Sequence, residues 1–234
     1  MADIQEKVPL RPKYWVRLAL FVVCALAVLI ASNVAYSALN TLSELDQIEA
    51  ARDEWQRPSE VIQALNLKDG DSVVDLGCGS GYFSLKLSQP VGRKGRVLAE
   101  DIRRLPLAFL WVRAAIKGKH NVSVLLGDVE DPHLAPASAN AVLISNTYHE
   151  FTAPKSILEH VRQSLRSGGR IVIIDRAPRA AEGSNENLRS HEIASEQVEA
   201  DLRQADFVIE NRRDNFIAND PEHESWWMIV AHHP

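Results

Sequence analysis

Two stretches with different hydrophobic patterns make up the chain. No charged residue occurs from Leu18 to Ser43, and the densest apolar part is Leu18–Ala31. A helix over Tyr14–Leu39 is roughly 39 Å long at about 1.5 Å per residue, longer than the ~30 Å hydrocarbon core of a bilayer. Tyr14 and Trp15 at one end and Tyr36 at the other occupy the places of interfacial aromatics. This pattern predicts a transmembrane helix. A cleaved signal peptide is an alternative, since Ala35 and Ser37 are small residues at the right spacing before Ala38, but the stretch ahead of the apolar run is long for one. A buried helix of a soluble protein is the third reading.

The pattern then changes. Asp46–Gln56 is charged and helical, and "RPSEVIQALNL" predicts a short helix with Ser59 as its N-cap. Short apolar runs next alternate with helical stretches. "SVVDLG", "GRVLAEDI", "VSVLLGD", "NAVLISN" and "GGRIVIIDR" read as strands. "GYFSLKLSQ", "LPLAFLWVRAAIKG" and "PKSILEHVRQSLR" read as helices, the second ended by Gly118 and the third begun by Pro154. Such alternation predicts βαβ units and a parallel sheet covered on both faces. After the helix "SEQVEADLRQA", the runs "FVIENRRDNFI" and "SWWMIVAHHP" are joined only by "ANDPEHE", too short for a crossover, so they should pair as an antiparallel hairpin. The segment "RAAEGSNENLRSH" reads as a long polar loop. The expected organisation is a tail over 1–13, the apolar helix over 14–39, a helical linker over 40–57 and one α/β domain over 58–234.

Composition narrows the function. A net charge of −5 argues against a general nucleic-acid binder. One stretch is locally basic, with Arg93, Lys94, Arg96, Arg103, Arg104, Arg113, Lys117 and Lys119. It reads as a solvated face or as a patch resting near anionic lipid headgroups. The two cysteines, Cys24 and Cys78, suggest neither a disulfide nor a zinc site, and no metal is expected.

The chemistry concentrates in "DLGCGSG", which follows the first strand. Strand, glycine turn and helix together aim backbone N–H groups at a ligand above the sheet. Asp101 ends the next strand, about 20 residues on, where a carboxylate accepts from ribose hydroxyls. Asp128 ends the strand after that and could accept from an adenine amino group. The spacing is G-x-G-x-G led by Asp75, unlike the dinucleotide G-x-G-x-x-G. Asp75 would repel a pyrophosphate and would suit an amino group or a sulfonium.

These motifs resemble the class I S-adenosylmethionine-dependent methyltransferase family. "VVDLGCGSGYFS", "GRVLAEDI", "LLGDVEDPHLAPASANAVLISNTYHEF" and "ILEHVRQSLRSGGRIVIID" are similar to its successive motifs. The resemblance covers nearly all of 58–234. It implies a doubly wound, Rossmann-like seven-stranded sheet, mostly parallel with a C-terminal antiparallel hairpin, and S-adenosyl-L-methionine as cofactor. It also implies that Asp75, Gly77, Gly79 and Gly81 cradle the methionine end, that Asp101 holds the ribose, that Asp128 and Val129 meet the adenine, and that Asn146 lines the site.

For the acceptor, "SNTYHEF" lies at the carboxyl edge of the sheet and offers Tyr148, His149 and Glu150. His149 is the first candidate for a general base, because imidazole titrates near neutrality. Glu150 is a second, and His191 in the polar loop a third. Trp55 and Arg57 are candidates to fold over the cofactor, whereas Trp226 and Trp227 read as packing. The expected activity is methyl transfer to a small or lipidic acceptor by a membrane-anchored enzyme, with no nucleic-acid partner and the oligomeric state left open. The alternatives are an NAD-type oxidoreductase, disfavoured by the glycine spacing, and a non-catalytic cofactor-binding module. Flanking charges place the globular part outside the cell by the positive-inside rule. The cytosolic origin of the cofactor favours the cytoplasmic side.

Overall fold

The structure is a computed structural model that describes residues 12–178, 191–218, 220–221 and 225–234. The chain divides into two units, 1–50 and 51–234. The first is built on helix α1 (Pro12–Gln56), which is long and apolar enough to cross a membrane. Its apolar side chains, Phe21, Leu29 and Ile30 among them, are exposed. Where the sequence suggests a membrane helix followed by a separate linker, one 45-residue helix runs unbroken. Residues 40–56 contain no glycine or proline and are rich in helix formers. The helix stops ahead of Pro58, whose ring disfavours helical geometry at Arg57. Arg57 takes φ 56° instead and is the N-cap of α2 (Pro58–Ala64). The expected cap at Ser59 is therefore corrected: Pro58 occupies the first helical turn, because its fixed φ suits that position.

The second unit carries seven strands: β1 (Ser72–Leu76), β2 (Arg96–Asp101), β3 (Val122–Leu126), β4 (Ala139–Ser145), β5 (Leu165–Arg176), β6 (Val208–Ile217) and β7 (Trp226–His232). Their order in the sheet is β3-β2-β1-β4-β5-β7-β6. The first five are parallel, and β7 runs antiparallel to both β5 and β6. The C-terminal hairpin expected from the short connection is present. The helices α3 (Tyr82–Leu87), α4 (Arg104–Ile116), α5 (Pro154–Ser164) and α6 (Ser195–Gln204) cover the sheet. The polar loop expected over 179–191 lies outside the described residues except for His191.

Strand alternation sorts the core into two layers. Val74, Val142, Ile171 and Ile173 face α5 and α6, together with Leu158, Val161, Val198 and Leu202. Val73, Leu143, Val172 and Ile174 face the other side, with Val61 of α2 and Phe83 of α3. Both faces are buried, so the central strands are nearly continuous apolar runs. The strand order reverses between β1 and β4, and a crevice opens there at the carboxyl ends of the strands, where ligands bind in such sheets.

Arg113 departs from the expected basic face. It is fully buried on α4 and donates from Nη1 to the carbonyl of Ser80 at 2.6 Å. It ties α4 to the glycine turn. The substitution Arg113→Met should destabilise the protein by about 1.5–3 kcal/mol, the range for losing a hydrogen bond to a charged group, and should loosen the turn. Urea unfolding and hydrogen exchange at 77–81 would read both effects; unchanged exchange there would contradict the tie.

Candidate active site

A cleft of about 410 Å³ lies at the reversal, lined by the ends of β1, β2 and β4 and by the turns that follow them. Gly77 has φ +72°, and a Cβ there would lie 2.2 Å from Thr147 Cγ2, so conformation and space both exclude a side chain. Gly79 has φ +53° but open space beside it, which leaves room for a ligand against the backbone. Gly81 is the N-cap of α3 and packs on Leu110, behind the cleft.

Three successive amide donors of this turn are spent inside the protein. The amides of Gly77 and Cys78 both donate to the carbonyl of Glu100, each at 2.9 Å. The amide of Gly79 donates to Asp101 Oδ2 at 2.9 Å. The expectation that these amides face a ligand is corrected, because the end of β2 takes three in succession. The turn is thus no phosphate cradle; what it presents to the cleft is carboxylate.

Asp75 is buried and accepts a hydrogen bond from the Ser84 hydroxyl. Burial pushes its carboxyl up to about 6, against the opposing effect of the Ser84 bonds. Burial pushes Glu100 up to about 8; the Gly77 amide opposes the rise, and the Asp101 and Asp75 charges add to it. Burial, and then the charge of Asp75, also push the Cys78 thiol up, so it stays protonated and inert. Asp101 Oδ1 accepts from the Arg103 amide at 2.9 Å and from Arg103 Nε at 3.2 Å. Asp128 and Val129 stand at the open rim, with Asp128 3.3 Å from His133 Nε2. Asn146, at φ 54°, lines the cleft, and its Oδ1 is buried without a protein partner, as is Ser145 Oγ.

Arg52 and Tyr82 also line the cleft, and the sequence reading did not single them out. Arg52 sits 4.0 Å from the centroid of the Tyr82 ring, and the Tyr82 hydroxyl donates to Asp53 at 2.6 Å. Trp55 and Arg57, the residues that "RDEWQRP" suggested, point elsewhere. Trp55 packs on Trp226 with ring centroids 5.9 Å apart, and Arg57 donates to the carbonyl of Phe216. Trp226 and Trp227 are buried, as expected.

Beyond β4 a single 3₁₀ turn, Tyr148–Glu150, forms the acceptor side. Tyr148 turns inward and donates to Asp201 at 2.9 Å. Glu150 lines the cleft. His149 lies behind it, with its side chain only 2% exposed and Nδ1 2.8 Å from Asp175 Oδ1. The Asp175 carboxylate is fully buried and also accepts from the amides of His149 and Arg176. The His191 ring stands edge-on to His149, with centroids 5.5 Å apart. Asp175 was not legible as a site residue; it reads as a strand end, and only the pairing of β5 beside β4 brings it to His149.

A family model described as "Methyltransferase domain" matches residues 67–228. The chain belongs to this family. It is 30% identical over 115 residues to protein-L-isoaspartate O-methyltransferase of Ignicoccus hospitalis, covering 48% of this chain and 51% of that protein. It is 24% identical over 140 residues to demethylmenaquinone methyltransferase of Lactococcus lactis, covering 60% and 53%. The chain thus spans about half the length of these curated relatives. In fold it is similar to the crystal structure of a SAM-dependent methyltransferase from Aquifex aeolicus, with a TM-score of 0.69 and 23% identity over 82% of this chain and 98% of that one. S-adenosyl-L-methionine is the cofactor that this family brings, and the cleft fits it. The unpartnered Asn146 Oδ1 suits an ammonium group, the space at Gly79 admits a chain, and the carboxylates suit a sulfonium.

The raised acids set a pH dependence. A carboxyl whose folded pKa lies above its unfolded value stabilises the fold at low pH, and that contribution is lost as pH rises through the folded value. For Glu100 the loss runs from about 4.5 to about 8. Glu100→Gln should therefore gain melting temperature over the wild type progressively from about pH 5 to about 8 without cofactor, and level off above that. Parallel melting profiles for the two proteins would rule this out.

Proposed function

We propose that the chain is an S-adenosylmethionine-dependent methyltransferase, anchored to a membrane by residues 14–39, that methylates a small or lipidic acceptor. The observation that carries the reading is the carboxylate-lined cleft whose turn amides are already satisfied. Such a site favours a cationic cofactor over a pyrophosphate, and it counts against an oxidoreductase. When bound, the cofactor supplies an electrophilic methyl group on a sulfonium. Asp75, Gly77 and Gly79 hold its methionine end beside Asn146. Gly81 shapes the same turn from behind, and Asp101 accepts from the ribose once the exposed Arg103 side chain yields. Asp128 and Val129 border the adenine.

On the acceptor side, Asp175 accepts the Nδ1 proton of His149 and leaves the Nε2 lone pair towards Glu150 and His191. That atom collects the proton of a hydroxyl-type acceptor, with Glu150 assisting at the cleft wall. Much of the remaining rate comes from positioning and exclusion of water.

A lipid-like acceptor is supported by the outer surface of α4. Leu105 is 81% exposed, Trp111 and Ile116 are each 62% exposed, and Val112 lies on the same outer surface. Arg103 and Arg104 stand at one end and Lys117 at the other. An exposed apolar face with basic ends suits an interface between headgroups and acyl chains. Ile102 and Arg103, which lead into α4, also line the cleft. The catalytic unit faces the cytoplasm, where the cofactor is made.

The test supplies a labelled methyl donor to membranes and soluble metabolites. Labelled product should form with the wild type and fall at least about 10-fold with Asp101→Asn, which keeps an acceptor for Gly79; one lost hydrogen bond to a charged group is worth about 1.5–3 kcal/mol. S-adenosylhomocysteine should raise the melting temperature, and NAD should not. Stabilisation by NAD alone would overturn the reading.

A further inference from the structure

The acceptor side contains a second arrangement, at the edge of the cofactor cleft, whose wall Glu150 shares. His149, Glu150 and His191 each place one donor atom within 4.8 Å of the other two, and they form the one such group among the described residues. We propose that these three side chains hold a divalent transition-metal cation of the zinc, cobalt or iron(II) kind.

Several observations converge on this. The His149 side chain is 2% exposed, and its Nδ1 is fixed by the fully buried Asp175 at 2.8 Å. A histidine that ligates a metal through one nitrogen almost always donates the other to a carboxylate or carbonyl, which fixes its tautomer and orientation. Asp175 is itself held by the amides of His149 and Arg176, so the imidazole cannot turn away without breaking buried hydrogen bonds. Glu150 Oε1 lies 3.8 Å from His149 Nε2. Ligand atoms about 2.0–2.2 Å from a tetrahedral zinc stand roughly 3.4 Å apart, so the set needs to contract by less than a rotamer change. The two ligands that must move, Glu150 and His191, are the exposed ones. Two imidazoles and one carboxylate suit zinc, cobalt or iron(II); magnesium and calcium prefer all-oxygen shells. Three protein ligands leave open positions, and Glu150 also lines the cleft, so a bound cation stands where an acceptor oxygen would reach it.

The consequence for chemistry is specific. A cation on Nε2 and a proton on Nε2 exclude one another. In the metal form His149 is a ligand rather than the base, and an acceptor hydroxyl bound to the cation loses its proton to solvent because the cation lowers its pKa. Cysteine counting gives no hint of this site, since its ligands are two histidines and a glutamate drawn from two segments.

The experiment uses tag-free full-length protein in detergent, stripped with chelator and titrated with Zn²⁺ by calorimetry and with Co²⁺ by visible absorption. One equivalent should bind, with d–d bands of nitrogen and oxygen coordination. Glu150→Gln and His191→Ala should each weaken binding at least about 10-fold, and Asp175→Asn about 10- to 100-fold, as the loss of an orienting partner does. His160→Ala and the double change His232→Ala/His233→Ala should leave it unaltered. S-adenosylhomocysteine should bind the His191→Ala and His160→Ala variants as it binds the wild type, which separates failure of the metal site from failure of the cofactor reading. Absence of saturable binding, or binding indifferent to Glu150, His191 and Asp175, would falsify the proposal.

Discussion

Three consecutive amides donating into the end of β2 are the constraint on which the site depends. The Glu100 carbonyl takes two and the Asp101 carboxylate the third. This fixes the glycine turn against β2 without a ligand and brings Asp75, Glu100 and Asp101 close together. A turn with free amides is an anion site, because unpaired N–H groups and the helix dipole attract negative charge. Once the amides are satisfied from below, the local field is set by the carboxylates, and its sign is reversed. The same backbone shape can therefore serve opposite ligands, according to what β2 offers at its last two positions.

Burial magnifies that effect. Asp75 and Glu100 are buried at the floor of the cleft, and desolvation is the largest cause that disfavours their ionised forms. A cation in the cleft restores the favour to ionisation. Entry of any cation into the cleft would therefore release protons from these acids.

The fold was largely legible because it rests on local signals. Apolar runs of strand length, Gly118 after α4, Pro154 at the start of α5 and the short link before β7 each act within a few residues. Most of the residues that line the cleft were legible for the same reason: the turn and the two strand-end acids are spaced by the βαβ unit itself. Ser59 was misplaced because the ring of Pro58 outweighed a serine's capping tendency. Arg113 read as surface because its charge is local information, while its burial against Ser80 is set by the packing of α4 on the turn. Arg52 and Asp175 were missed because nothing near them in sequence marks them. Their roles come from contacts across the fold, Arg52 with Tyr82 and Asp175 with His149.

The acceptor side shows why that second kind of residue matters. A histidine after a strand is ordinary, and "TYHEF" alone does not distinguish a base from a cap. Asp175 adds a constraint that the sequence does not show, by removing the freedom of the ring. With Nδ1–H committed to a buried carboxylate, only Nε2 can meet an acceptor proton or a cation, and it has one direction in which to do so. The orientation of the ring is therefore built into the sheet, by the parallel pairing of β4 with β5, rather than into the turn that carries His149.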